Sequence, residues 1–160
     1  MKETSAEIAR RMMDEGYQHQ IAGELEDAIR YYQASINFQP TAEAHTYLGW
    51  AYSLQGHFED AISECKHAIE LDPSYGNPYN DIGAYLIAMG KLDESLEWLK
   101  KAIFAPRYEH RAYPLMNLGR VYELKGLWSH ALRAYRRARR VDPSHLDALD
   151  AYHLLLGKFN

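Results

Sequence analysis

The chain has 160 residues, a length that fits one domain, and its 25% charged and 47% hydrophobic residues are ordinary values for a soluble protein. Its formal net charge of −4 gives no general electrostatic case for nucleic acid or an anionic membrane as partner. A single cysteine, Cys65, excludes an internal disulfide framework and a multi-cysteine metal site, and no apolar run approaches the ~20 residues of a membrane span.

The N-terminal stretch carries Glu3 and Glu7 and has no apolar centre, so it does not read as a secretory signal, and cytoplasmic residence is the expectation. Thr4 and Glu7 have the spacing of a capping box, which predicts a helix from near Ser5 to Ile21. A turn at Ala22-Gly23 and a return helix from Leu25 to Phe38 complete the first unit, and Pro40 blocks further helix. A second unit fills 42–75. The third opens at Gly76-Asn77-Pro78, with proline in the first helical turn, and its helices are expected over about 78–89 and 92–104.

Ala105 to Arg111 is then read as a longer loop or an extended helix start, with Pro114 in the first turn of the helix that follows. Loop length is energetically cheap, so this link is expected to tolerate deletion. The fourth unit spans 112–145. Ser144, three residues before Asp147, is expected to cap a last helix over about 145–158. Its packed side would carry Leu146, Leu149, Tyr152 or His153, and Leu156.

The units repeat in register. Gly16, Gly49, Gly83 and Gly119 lie at intervals of 33, 34 and 36 residues, and Gly23, Gly56, Gly90 and Gly126 follow the same intervals. A mid-helix glycine costs about 1 kcal/mol against alanine, which is sustained where a neighbouring helix needs the space. Cys65 falls at the repeat position of Tyr32, Leu99 and Tyr135, so it is read as an inert buried thiol.

The series Leu48-Gly49, Tyr52, Ala61, Ala68, Pro73 and the series Leu118-Gly119, Tyr122, Trp128, Ala131, Ala138, Pro143 resemble the tetratricopeptide repeat (TPR) family. The resemblance covers roughly residues 9–145 and is weaker in the first unit, where Glu15, His19 and Ser35 replace the usual leucine, tyrosine and alanine. It implies an all-α, right-handed α-solenoid of four TPR helix-turn-helix units (about 8–41, 42–75, 76–111 and 112–145) plus a C-terminal capping helix, forming a single domain over 1–160. The implied function is a non-catalytic protein-interaction module or scaffold that binds a peptide segment of a partner protein in its concave groove.

No phosphate-loop, dinucleotide or nucleophile-elbow motif occurs, and the eight histidines show no metal-ligand spacing, so no enzyme, cofactor or metal is expected. In a stack of helix pairs the first helices line the inner surface, and helical periodicity then selects the residues that face it. The groove residues expected on this basis are Tyr17, Tyr47, Trp50, Asn80, Asp81, Tyr113, Asn117 and Arg120. Asparagines can both donate to and accept from a peptide backbone, aromatics pack side chains, and Arg120, beside Asp81 and Glu123, either selects an acidic group or pairs within the groove.

One TPR specialisation grips the terminal carboxylate of heat-shock chaperones with basic residues and two asparagines. The matching positions hold Met13, Tyr17, Tyr47, Asn77 and Asp81, and one repeat later Thr46, Trp50, Asp81, Tyr113 and Asn117. Neither set holds a basic residue, which argues against a heat-shock chaperone tail as partner.

Three other readings stay open. The uncapped first unit or the apolar last helix could stack on another copy, giving a self-associating homo-oligomer. The run Arg133, Arg136, Arg137, Arg139 and Arg140 is either a solvated convex face or a grip for phosphates, nucleic acid or an acidic segment. The longer link is also similar to that of TPR proteins of type IV pilus assembly, although the N-terminal cysteine that anchors those proteins to lipid has no counterpart here.

Overall fold

The four turn glycines decide where the chain reverses. Each takes a backbone conformation that side chains rarely adopt, with φ of 83° at Gly23, 81° at Gly56, 75° at Gly90 and 72° at Gly126. The next residue donates its amide back across each turn, as in Glu24 to the His19 carbonyl at 2.9 Å and Lys91 to the Leu86 carbonyl at 2.8 Å.

The computed structural model describes residues 2–159, which hold nine helices and no strand. They form four pairs, α1 (Ser5–Ile21) with α2 (Leu25–Phe38), α3 (Ala42–Leu54) with α4 (Phe58–Leu71), α5 (Asn77–Ala88) with α6 (Leu92–Phe104) and α7 (Ala112–Leu124) with α8 (Trp128–Val141). A last helix, α9 (Leu146–Gly157), follows.

Within each pair the mid-helix glycine lets the partner helix approach. A Cβ on Gly16 would lie 2.7 Å from the Tyr32 ring, one on Gly49 2.9 Å from the Ala61 carbonyl oxygen, and one on Gly83 2.5 Å from the Leu99 side chain. The facing residues Tyr32, Cys65, Leu99 and Tyr135 are all buried. Burial pushes the Cys65 thiol up, which keeps it neutral and unreactive.

Every helix packs on the next in the chain. In addition α1 touches α3, α3 touches α5, α5 touches α7 and α7 touches α9, whereas no two even-numbered helices from α2 to α8 meet among the described residues. Odd-numbered helices are therefore closer together than even-numbered ones, which curves the stack and places α1, α3, α5 and α7 on its concave side. Ile82, Tyr85 and Leu86 of α5 fill the layer against Ala61 and Cys65 of α4, and Leu118 and Val121 of α7 fill the next against Ile87 and Leu99. These shared apolar layers are the main source of stability in such a stack, because neighbouring units bury what each exposes alone.

The N-terminal capping box is present, with the Thr4 amide donating to Glu7 at 2.7 Å and the Glu7 amide donating to Thr4 Oγ1 at 3.2 Å. The C-terminal cap differs from expectation. The Ser144 hydroxyl turns back to Asp142, and His145 Nδ1 accepts the Ala148 amide at 3.2 Å. The packed face of α9 is also different, with Ala148 and Leu155 buried and Leu146 left 69% exposed. The small Ala148 and Ala151 let α9 close against the preceding pair, so Leu155 reaches Tyr135 and Ala131, with the expected Tyr152 packed beside them and Leu149 and Leu156 half-buried. No helix among the described residues is long and apolar enough to cross a membrane.

The link at 105–111 is the largest departure, because it is stapled to the preceding unit. The Arg107 amide donates to the Ser74 carbonyl and the Gly76 amide to the Arg107 carbonyl, both at 2.9 Å, a single parallel bridge between Tyr75 and Arg107. The Arg107 guanidinium reaches Asp72 at 2.7 Å and Glu43 at 3.0 Å and lies 4.2 Å over the Tyr75 ring. Tyr108 is buried against Gly76, where a Cβ would sit 2.5 Å from its side chain. Arg111 then donates to the Ile103 and Ala105 carbonyls at 2.8 Å, capping the end of α6.

Candidate functional site

The concave side of α3, α5 and α7 holds a hollow of about 580 Å³ whose lining includes Tyr17, Tyr47, Trp50, Asn80, Asp81 and Tyr113. Six of the eight sequence-expected groove residues thus come together. Asn117 lies beneath them, buried, and donates to Asn80 Oδ1 at 3.0 Å. Arg120 is exposed on α7, does not line the hollow, and makes no ion pair among the described residues. The expected grouping of Arg120 with Asp81 and Glu123 is not observed. Glu123 instead accepts from Lys158 and from the Tyr135 hydroxyl, each at 2.9 Å.

The aromatic residues divide by role. Trp50 and Tyr113 are 39% and 42% exposed and present ring surface to solvent. Tyr47 is more embedded than expected, stacked on the buried Tyr32 at 5.7 Å and meeting Tyr17 edge-on at 5.6 Å. It therefore contributes to the stacking of the first two units as well as to the groove wall. Burial, then the neighbouring Tyr17, Asp14 and Glu43, raise its pKa.

Asn80 and Asn117 were expected to face a ligand backbone freely, and instead satisfy each other at the groove floor. Two polar side chains buried side by side gain most from bonding to one another, so the pair bridges the third and fourth units. Asp81 remains the acidic group of the floor. Burial pushes its pKa up to about 7, opposed by the Asn80 amide at 3.5 Å. Thr46, another inward position, is likewise buried with its hydroxyl turned to the Ala42 carbonyl at 2.7 Å.

Periodicity on the inner helices does not reach Tyr75, Tyr108 and His110, which also line the hollow and come from the turn before α5 and from the link. The period broken near residue 106 was the available signal, since it marks where the chain leaves the repeat geometry.

Two clusters lie elsewhere. His19, Glu24 and Asp27 come within ligand distance of one another at the first turn, but His19 and Glu24 are already paired at 2.5 Å and Asp27 is paired with Arg30. On α8, Arg136, Arg139 and Arg140 line a hollow of about 340 Å³ with Pro143 and Tyr152, and Arg139 lies 4.7 Å over the Tyr152 ring.

Sequence and structure comparisons agree with this architecture. A Bacillus subtilis (strain 168) protein, TPR repeat-containing protein YpiA, is 30% identical over 146 residues, a match covering 87% of this chain and 32% of that protein. Small glutamine-rich tetratricopeptide repeat-containing protein 2 of Saccharomyces cerevisiae is 33% identical over half of the chain and 23% of its own length. The chain thus spans about a third or less of these two relatives.

Among solved structures, Pseudomonas aeruginosa pilF superposes with a TM-score of 0.88 at 20% identity, over 96% of this chain and 70% of that one. MamA superposes at 0.72 with 26% identity, over 93% and 81%. YrrB, a TPR protein with an unusual peptide-binding site, superposes at 0.66 with 18% identity, over 92% and 75%. Family models described as Tetratricopeptide repeat match residues 42–75, 79–103 and 115–147, more than half of the chain. With four helix pairs and a further helix, among the described residues, stacked around spaced glycines, the chain belongs to the tetratricopeptide repeat family.

Proposed function

We propose that this chain is a non-catalytic interaction module that binds a peptide segment of a partner protein in the concave groove. The observation that carries the reading is the hollow itself, open to solvent and walled by Trp50 and Tyr113, with a polar floor of Asn80 and Asp81. Large aromatic rings left in water beside groups that can hydrogen-bond are the arrangement that dominates peptide and protein interfaces. A volume of about 580 Å³ suits a few side chains of an extended or short helical segment.

A photo-reactive benzoylphenylalanine replacing Tyr113 should crosslink a partner, whereas the same group replacing Arg137 on α8 should not. Crosslinking only from position 137 would move the site to the arginine-rich helix.

Self-association is the second reading, favoured by the outer face of α9, where Leu154 is 72% exposed. Light scattering at two concentrations separates the two, since a concentration-independent monomer removes the second.

A further inference from the structure

Several acids on or beside the concave side are paired, Glu43 and Asp72 sharing Arg107 and Glu123 taking Lys158, whereas Asp14 and Glu109 have no ion pair among the described residues but are exposed to water. Asp81, on the groove floor, has no cation within ion-pair distance among the described residues, and the hydrogen bond that it accepts from Asn80 is long, at 3.5 Å. Asp81 is half-buried, and a carboxylate partly withdrawn from water without a counter-charge is costly to the fold.

A second group in the same hollow is also unmatched. Tyr85 is 7% exposed, lines the hollow, and its hydroxyl has no hydrogen-bond partner among the described residues, while the Ser53 hydroxyl donates to the Trp50 carbonyl at 2.7 Å. The charge of Asp81 reaches Cys65 from α4, Tyr75 from the turn, Tyr85 from α5 and Tyr108 from the link, none of which carries a positive charge, and among the residues lining the hollow only His110 can become cationic, without an ion pair to Asp81. Aromatic faces attract cations through their ring quadrupole, most strongly when water is displaced.

We infer that the groove recognises a basic side chain, a lysine or arginine of the bound peptide, whose charged head reaches Asp81 between the rings of Tyr47, Trp50 and Tyr113, an inference that rests on the groove reading above. The long methylene stem packs against Trp50, the head replaces the missing counter-charge of Asp81, and its remaining protons have Tyr85 as an acceptor. This is the opposite preference from an acidic, carboxylate-terminated tail.

The test is selection of a random peptide display library on the parent protein, followed by affinity measurement on Asp81→Asn and Trp50→Ala with thermal melts alongside. Retained peptides should share a lysine or arginine. Asp81→Asn, which keeps the shape and removes the half-buried charge, should weaken them about tenfold or more without lowering the melting temperature. Replacing the shared basic residue of a selected peptide by norleucine should cost the same factor on the parent and little further on Asp81→Asn.

Peptides without a basic residue that need Trp50 but not Asp81 would overturn the inference and leave the groove reading standing. Peptides indifferent to both changes would overturn both. A selection yielding no binder that depends on Asp81 would also overturn the inference.

Discussion

The Asn117 side-chain amide donates to Asn80 Oδ1 at 3.0 Å across the boundary between α5 and α7, and both residues are buried. Removing one partner leaves the other unsatisfied in a site with little water, a loss of about 1–3 kcal/mol. Asn80→Ala and Asn117→Ala should therefore each lower stability, while the double variant should cost less than the sum. Additive losses in denaturant melts would show that the bond does not couple the units.

The glycine frame makes a packing prediction. A Cβ on Gly49 would sit 2.9 Å from the Ala61 carbonyl, a backbone atom that yields only if α4 moves. Gly49→Ala should destabilise in spite of its better helix propensity, and Ala61→Leu should cost about 1–3 kcal/mol through overpacking. A Gly49→Ala melt at or above the parent temperature would contradict this packing.

The link should behave as structure. Deleting residues 106 and 107 removes the bridge to Ser74 and Gly76 together with the Arg107 ion pairs, and should lower the melting temperature. Ser74 first, and then Arg107, hold Asp72 at about 2, below its ordinary 3.8. That contribution is present above 3.8 and fades as pH falls through about 2, so the difference in melting temperature between parent and Arg107→Ala should shrink over that window. A difference constant with pH would remove Asp72 from the account.

Asp81 works in the opposite direction, since its folded value of about 7 lies above the ordinary 3.8. Between those values the folded protein retains a proton that the unfolded chain has released, so stability falls as pH rises towards about 7 and then levels off. Asp81→Asn should raise the melting temperature above pH 7 and change it little below pH 4, each ~1 kcal/mol recovered being worth about 2–4 °C. An equal shift at both pH values would show that the carboxylate is not desolvated.

The helices, their turns and most of the inner surface were legible because they follow the spacing of Gly16, Gly49, Gly83 and Gly119 and helical periodicity. What was hidden depends on contacts between distant residues. The staple of Arg107 on Asp72 and Glu43, the mutual bond of Asn80 and Asn117, and the absence of Arg120 from the hollow are set by how units stack. The α9 face was legible only in part, since Tyr152 packs as expected, while close helix approach buried Ala148 and Leu155 and left Leu146 outside.

The central claim is that the concave groove binds peptide, and the affinity of a library-selected peptide for Trp50→Ala tests it most directly. Trp50 is 39% exposed and lies 6.3 Å from the Tyr47 ring, so its removal should lower the melt modestly, with the protein still folded, while weakening binding by ~2 kcal/mol, roughly thirtyfold. Parent-like affinity in a Trp50→Ala protein that remains folded would place the binding surface elsewhere.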